Sequence, residues 1–349
     1  MILLFLALVV IIILSSSRWV KDQWKGGYLS IEQSANIKGI FAILIFIGHA
    51  VNFIDATGPL DTSYLLIKHH LDQAVVAMFF FYSGYGMTES LKKKKASYIL
   101  SIPRKRVLPV YIKFLISAVI FIVFEMCLGV RFSILDICAV LAGWKDIGNY
   151  GWYVLTLSCL YMLFMFSFLA GTKNGNDNKS YIKSAGIFTL LSVILIILLK
   201  YPGRRDYWIY DTILLFAMGI WYSLFKEKIE RVPGDRTRSL LVSAVTLLLY
   251  VILKLYSPVS IAFKMLWYLV FAAAVLLISM KIRIKSRVLT FYGKIAFPML
   301  LMQGLAYMIL ALFRLHVSYP YVFVIAAFAL TTGMSILFER CTSFIGRKR

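Results

Sequence analysis

Apolar stretches of membrane-crossing length recur along the whole chain, near residues 2–15, 39–54, 73–90, 107–126, 153–170, 184–199, 212–225, 239–255, 261–280, 290–313 and 321–338. A bilayer's hydrocarbon core is about 30 Å thick, so roughly twenty residues of helix cross it. Lipid offers the backbone no partners, which leaves helices and closed barrels as the only spanning structures. Barrel strands would alternate apolar and polar residues. These runs are continuously apolar, so the chain reads as an all-α, polytopic membrane helix bundle of about eleven transmembrane helices. Only 15% of its residues are charged, against about 25% in soluble domains. With a mean hydropathy of +0.82, a water-soluble globule is excluded.

The net charge of +22 would suit a nucleic-acid partner if the charges formed a surface. They lie instead in the connections between runs, alternately dense and sparse. Every second connection is dense: Lys92–Lys95 with Arg104, Lys105 and Arg106, then Lys226–Arg238, then Lys281–Arg287. The opposite set is sparse, with Lys68, Arg131, Lys145 and a few others. Cytoplasmic loops carry the basic excess, so the N-terminus is expected outside and the C-terminus in the cytoplasm, in a cell membrane. The partner of these charges is the lipid bilayer, and no nucleic acid is expected. Residues 1–14 lack the basic flank and cleavage site of a signal peptide. They read as an additional N-terminal transmembrane helix (1–15), ahead of one membrane domain over 36–340. The outer segment from Cys127 to Trp152 is long and part-apolar, and is expected to hold a short interfacial or re-entrant helix. Cys127, Cys138, Cys159 and Cys341 show no metal or redox spacing, and no Walker A, G-x-S-x-G or H-E-x-x-H motif occurs.

Chemistry concentrates first in Asn36–Asn52, NIKGIFAILIFIGHAVN. Of the four histidines, only His49 lies well inside an apolar run. Ionisable groups in that setting are costly and usually functional, and histidine moves protons near neutral pH. A helix rises 1.5 Å per residue. Lys38 at the cytoplasmic start of the second helix therefore puts His49 roughly 16 Å deeper, about half-way through the core. The bland alternative is a histidine bonding a neighbouring helix. In Ala77–Ser90, AMFFFYSGYGMTES, Ser83, Gly84 and Gly86 allow close backbone approach, to another helix or to a ligand. Arg104 and Arg106 abut the membrane just before Pro109. They can hold phosphates bidentately, although topology alone would account for their charge. Trp152 and Tyr153 open a further helix at the outer boundary, where an aromatic belt is the default reading.

In this order the pieces resemble the acyltransferase 3 family of membrane O-acyltransferases. Lys38 and His49 keep the family's ten-residue interval between a basic residue and a histidine, with lysine for the usual arginine. Phe79–Tyr85 matches FFFϕSGF (ϕ apolar), Arg104–Tyr111 an arginine-rich stretch followed by LLPxY, and Trp152–Val154 a W-[YF]-ϕ helix start. In Gly293–Gln303, the family's G-x-ϕ-S-[YF]-x-ϕ-Y-L-x-H pattern has Ala296 for serine and Gln303 for the late histidine. No acid–base role is therefore carried over to 303. The resemblance runs from about Lys38 to the C-terminus, a ten-helix core. It implies transfer of an acyl group, acetyl above all, from cytoplasmic acyl-CoA to a hydroxyl of a cell-envelope glycan or related acceptor. Acyl-CoA is then a co-substrate, with no bound cofactor or metal. The resemblance makes His49 the base or a transient acyl carrier, and assigns Lys38, Arg104, Arg106, Ser83 and Trp152 to donor or substrate binding. The rival reading is a proton-coupled transporter with His49 as its relay.

Overall fold

The computed structural model describes residues 2–20, 27–55, 58–71, 73–172, 177–203, 205–233 and 235–345. In chain order the elements are α1 (Ile2–Ser16), β1 (Ser17–Trp19), α2 (Ile31–Ala50), α3 (Pro59–Leu71), α4 (Ala74–Lys94), α5 (Ala96–Ile102), α6 (Leu108–Cys127), α7 (Ile134–Leu141) and α8 (Gly151–Gly171). There follow α9 (Asn178–Lys200), α10 (Leu214–Arg231), α11 (Arg236–Tyr256), α12 (Ile261–Lys281), β2 (Ile282–Ile284), α13 (Arg287–Lys294), α14 (Ala296–Leu312), α15 (Leu315–Ser318) and α16 (Pro320–Thr342). The fold is an all-α polytopic bundle.

Each expected run falls on a helix, and a count of eleven spans is not confirmed. Among the described residues, eight helices are long and apolar enough to cross a membrane. A ninth arises if α13 and α14, bent by 75°, count as one span. At fifteen residues α1 is an apolar helix shorter than these. In α4 the tyrosines, glycines, Ser83 and Glu89 dilute the apolar run. That helix is instead among the most interior: Phe80, Phe81, Met78 and Leu91 are wholly buried. Helices begin where a polar connection supplies a cap. Asp177 Oδ1 accepts the Ser180 N–H at 3.0 Å and Asp235 Oδ1 accepts the Arg238 N–H at 2.8 Å, each satisfying an orphan donor. The 127–152 segment does hold a short helix, α7, started by a Ser133–Asp136 capping box.

Two devices fix the helices that matter here. The first is an absence of side chain. A Cβ on Gly84 would sit inside contact distance of the Phe216 carbonyl, and one on Gly219 would meet the Phe81 carbonyl. The pair lets α4 and α10 pack backbone to backbone. Packing is therefore the role of Gly84, whereas Gly86 faces open space. Gly84→Ala should cost about 1–3 kcal/mol by forcing the two helices apart, while Gly86→Ala should cost nothing. Thermal unfolding in detergent separates the two, and equal midpoints would refute the close-approach role.

The second device reads backbone. Gln33 Nε2 donates to the Ile282 carbonyl (3.0 Å), and the Ile284 N–H donates to Gln33 Oε1 (3.0 Å). Asn36 Nδ2 donates to the Ile284 carbonyl (3.1 Å), while Asn36 Oδ1 accepts from the Ser286 N–H (3.3 Å) and the Thr290 hydroxyl (3.2 Å). Both side chains are buried. They explain a departure from the sequence reading, which puts Lys38 at the start of its helix. The polar turn Glu32–Asn36 stays helical because its amides find buried partners, so α2 begins at Ile31 behind its cap Ser30. Lys38 is two turns in, and His49 stands in the last turn of α2. The same segment carries β2, which pairs antiparallel with β1 in the register Arg18↔Arg283 and ties α1 to the bundle.

Candidate active site

Eleven residues of α-helix make about three full turns, since each turns the chain by about 100°. Lys38 and His49 therefore share one face of α2, and Ala42 and Ile45 lie between them on it. Ala42, Ile45 and His49 form one wall of a narrow apolar slot of about 600 Å³. Val76 and Phe79 of α4, Trp152 and Tyr153 of α8, and Phe297, Leu300 and Gln303 of α14 complete it. Beyond His49 lies a wider, more polar cavity of about 1040 Å³, lined by Asn52, Tyr64, Lys68, Asp146 and Trp208 among others. His49, Gln73, Tyr150 and Trp152 border both spaces.

The imidazole is held from two sides. Gln303 Nε2 lies 3.0 Å from His49 Nδ1, and the Tyr150 ring stacks on the imidazole at 4.5 Å between centroids with the planes 16° apart. Tyr150 adopts a left-handed backbone (φ 54°, ψ 39°), a conformation costing a residue other than glycine about 1–3 kcal/mol. The turn before it holds that conformation. Asp146 Oδ1 accepts from the Gly148 N–H at 2.9 Å and from the Tyr150 N–H at 3.1 Å. Gly304 has no side chain to keep the Gly148 carbonyl away from α14, so this turn seats beside Gln303.

At the other end of the same α2 face lies a cationic group. Lys38 Nζ sits 5.2 Å above the Tyr82 ring and is an electrostatic neighbour of Arg106. Arg106 Nε donates to the Tyr98 hydroxyl at 3.2 Å. Ser83 donates back to the Phe79 carbonyl at 2.9 Å and shares a hydroxyl contact with Tyr161, which Arg106 also influences. Arg106 is presented by Pro103–Val107, a single π-helical stretch joining α5 to α6. Such bulges recur at functional sites. Arg104 and Arg106 are both exposed on this stretch, and it is the contact with Tyr98 that sets Arg106 apart.

The sequence-derived residues thus divide in two. His49 and Trp152 meet at the slot, while Lys38, Ser83 and Arg106 meet about three turns along. Sequence reasoning missed Gln303, Tyr150 and Lys68. Gln303 occupies the place of the pattern's late histidine, the signal that could have flagged it. Tyr150 sits beside Trp152 but carries no motif, and Lys68 counts only as an outer-side charge. No curated protein and no solved structure matches this chain. The model of the acyltransferase domain family matches residues 31–340, and that stretch contains every residue of both groups. With a match over most of its length, on a bundle of membrane-crossing helices, the chain belongs to the acyltransferase 3 family and is a membrane acyltransferase.

Proposed function

We propose that the protein transfers an acyl group, acetyl above all, from cytoplasmic acyl-CoA to a hydroxyl of a cell-envelope glycan or related acceptor. The observation that carries this reading is the position of His49. It borders an apolar slot whose α2 wall continues toward Lys38 and Arg106, and it also borders a polar cavity. The cationic group takes the CoA phosphates on the cytoplasmic side. The slot takes the long arm with its acyl end, and the polar cavity takes the acceptor. The alternation of basic connections favours this orientation, with the N-terminus outside and the C-terminus inside.

In the reaction, the acceptor hydroxyl attacks the thioester carbonyl as His49 takes its proton. A glutamine amide can present either an N–H or, turned by half a rotation, its oxygen. With Gln303 Oε1 toward a protonated Nδ1, His49 Nε2 is left free as the base. Collapse of the intermediate breaks the C–S bond, and the departing thiolate recovers the proton. Holding both reactants against one imidazole supplies the remaining rate gain.

The test is CoA release from acetyl-CoA by the purified protein given envelope glycan, with ester formation followed by mass spectrometry. Turnover with new O-acetyl esters on the glycan is expected. Arg106→Lys should raise the acetyl-CoA KM about tenfold, because lysine keeps the charge but loses the two-pronged contact. Arg104→Lys should change it less. An absence of turnover would remove the acyl-CoA reading. An unchanged KM in Arg106→Lys would return that residue to topology.

A further inference from the structure

Attack on a thioester moves an electron pair onto its carbonyl oxygen, and a membrane enzyme must meet that negative charge with a positioned donor. His49 handles the proton, not this charge. Among the described residues bordering His49's two spaces, the cation is Lys68. We propose that the Lys68 ammonium is the group that stabilises the oxyanion. This rests on the acyl-CoA reading above and adds a catalytic residue to it.

Three features place the ammonium. Lys68 Nζ donates to Asn52 Oδ1 at 2.6 Å, and α2 runs directly into the 3-10 turn Val51–Phe53, putting Asn52 one turn beyond His49. The Lys68 stem passes Gly48, with its Cε 4.0 Å from where a Gly48 Cβ would stand. Lys68 and His49 also influence each other electrostatically.

The helix bearing Lys68 is itself anchored. Tyr321 of α16 donates to Asp61 Oδ2 near the start of α3. At its other end the carbonyls of His69 and His70 accept from Lys254 Nζ (2.6 Å) and the Tyr250 hydroxyl (3.0 Å) of α11. Those last carbonyls are the ones a helix leaves unpaired. Fixing α3 at both ends holds the cation in place before the reaction, and such preorganisation is what makes a charge effective.

In the step, the acceptor oxygen forms a bond to the carbonyl carbon, the C=O pair moves onto oxygen beside Lys68 Nζ, and His49 takes the hydroxyl proton. The oxyanion then collapses, the C–S bond breaks and the thiolate leaves with the proton returned from His49.

The test compares the wild type with Lys68→Gln, Lys68→Arg and His49→Ala, measuring CoA release from acetyl-CoA over a titration of envelope glycan. Lys68→Gln should lower kcat about 10²–10³-fold with both KM values little changed, and Lys68→Arg should restore a large part of it. Lys68→Gln with wild-type kcat would overturn the inference. So would a loss confined to the glycan KM, which would make Lys68 an acceptor-binding residue. Should Lys68→Gln fail to accumulate, Lys68→Arg and Asn52→Ala carry the same comparison, because Asn52→Ala removes the bond that places the ammonium and should lower kcat alone. If the wild type releases no CoA, the acyl-CoA reading fails and takes this inference with it. Wild-type turnover, an inactive His49→Ala and an undiminished Lys68→Gln would sink the inference alone.

Discussion

Replacing His49 by alanine should reduce acyl transfer by about 10²–10⁴-fold, the range a positioned proton-transfer group contributes, in a protein that still inserts and folds. Alanine is no costlier in the bilayer than histidine. Its structural debits are the stacking contact with Tyr150 and the Gln303 amide, left without the partner it has at 3.0 Å. A buried polar group stranded in that way costs about 1–3 kcal/mol. His49→Gln keeps a hydrogen-bonding partner there, so a loss of activity in both variants at a near-normal melting temperature isolates the proton transfer. Turnover at the wild-type rate in either would end the assignment of His49 as base.

Gln303→Leu should come next in severity. The base would remain, but nothing on α14 would fix which imidazole nitrogen carries its proton or how the ring is turned, and small displacements of reacting groups cost up to about 10²-fold. The loss should fall on kcat and leave the acetyl-CoA KM alone, since Gln303 is remote from Lys38 and Arg106. Gln303→His writes the family's usual residue back at this position and should keep most of the activity. A Gln303→Leu variant altered only in KM, or a Gln303→His variant as poor as leucine, would show that Gln303 is packing rather than orienting the base.

The helices were legible in the sequence because continuous apolar length is a local property. Their count was not, since α4 is interior without being very apolar and α1 is apolar without being long. The start of α2 was misread for a related reason. The Gln33 and Asn36 amides look like a polar connection until their partners, some 250 residues away, are placed beside them. His49 and Lys38 could be paired from their spacing alone, whereas Gln303, Tyr150 and Lys68 reach the imidazole through contacts between helices that no local pattern records. The sequence could also offer both arginines of the Arg104–Arg106 stretch for the donor. On the π-helical turn both stay exposed, and the difference between them is the Arg106 bond to Tyr98, a contact between residues that no local pattern marks.

The long-range clasp on α2 bears on when during synthesis this enzyme becomes competent. Helices enter the membrane from the N-terminus onward, so α2, with its histidine, is inserted early. Its amides can be satisfied only after residues 282–290 have emerged, and His49 gains Gln303 later still. Until then the His49 imidazole stands in a membrane without the α14 wall of its slot, so a ribosome-bound intermediate already bearing Lys38, His49, Ser83 and Arg106 has no assembled slot. Competence therefore arrives near the end of translation, and a chain stalled halfway does not squander acyl donor.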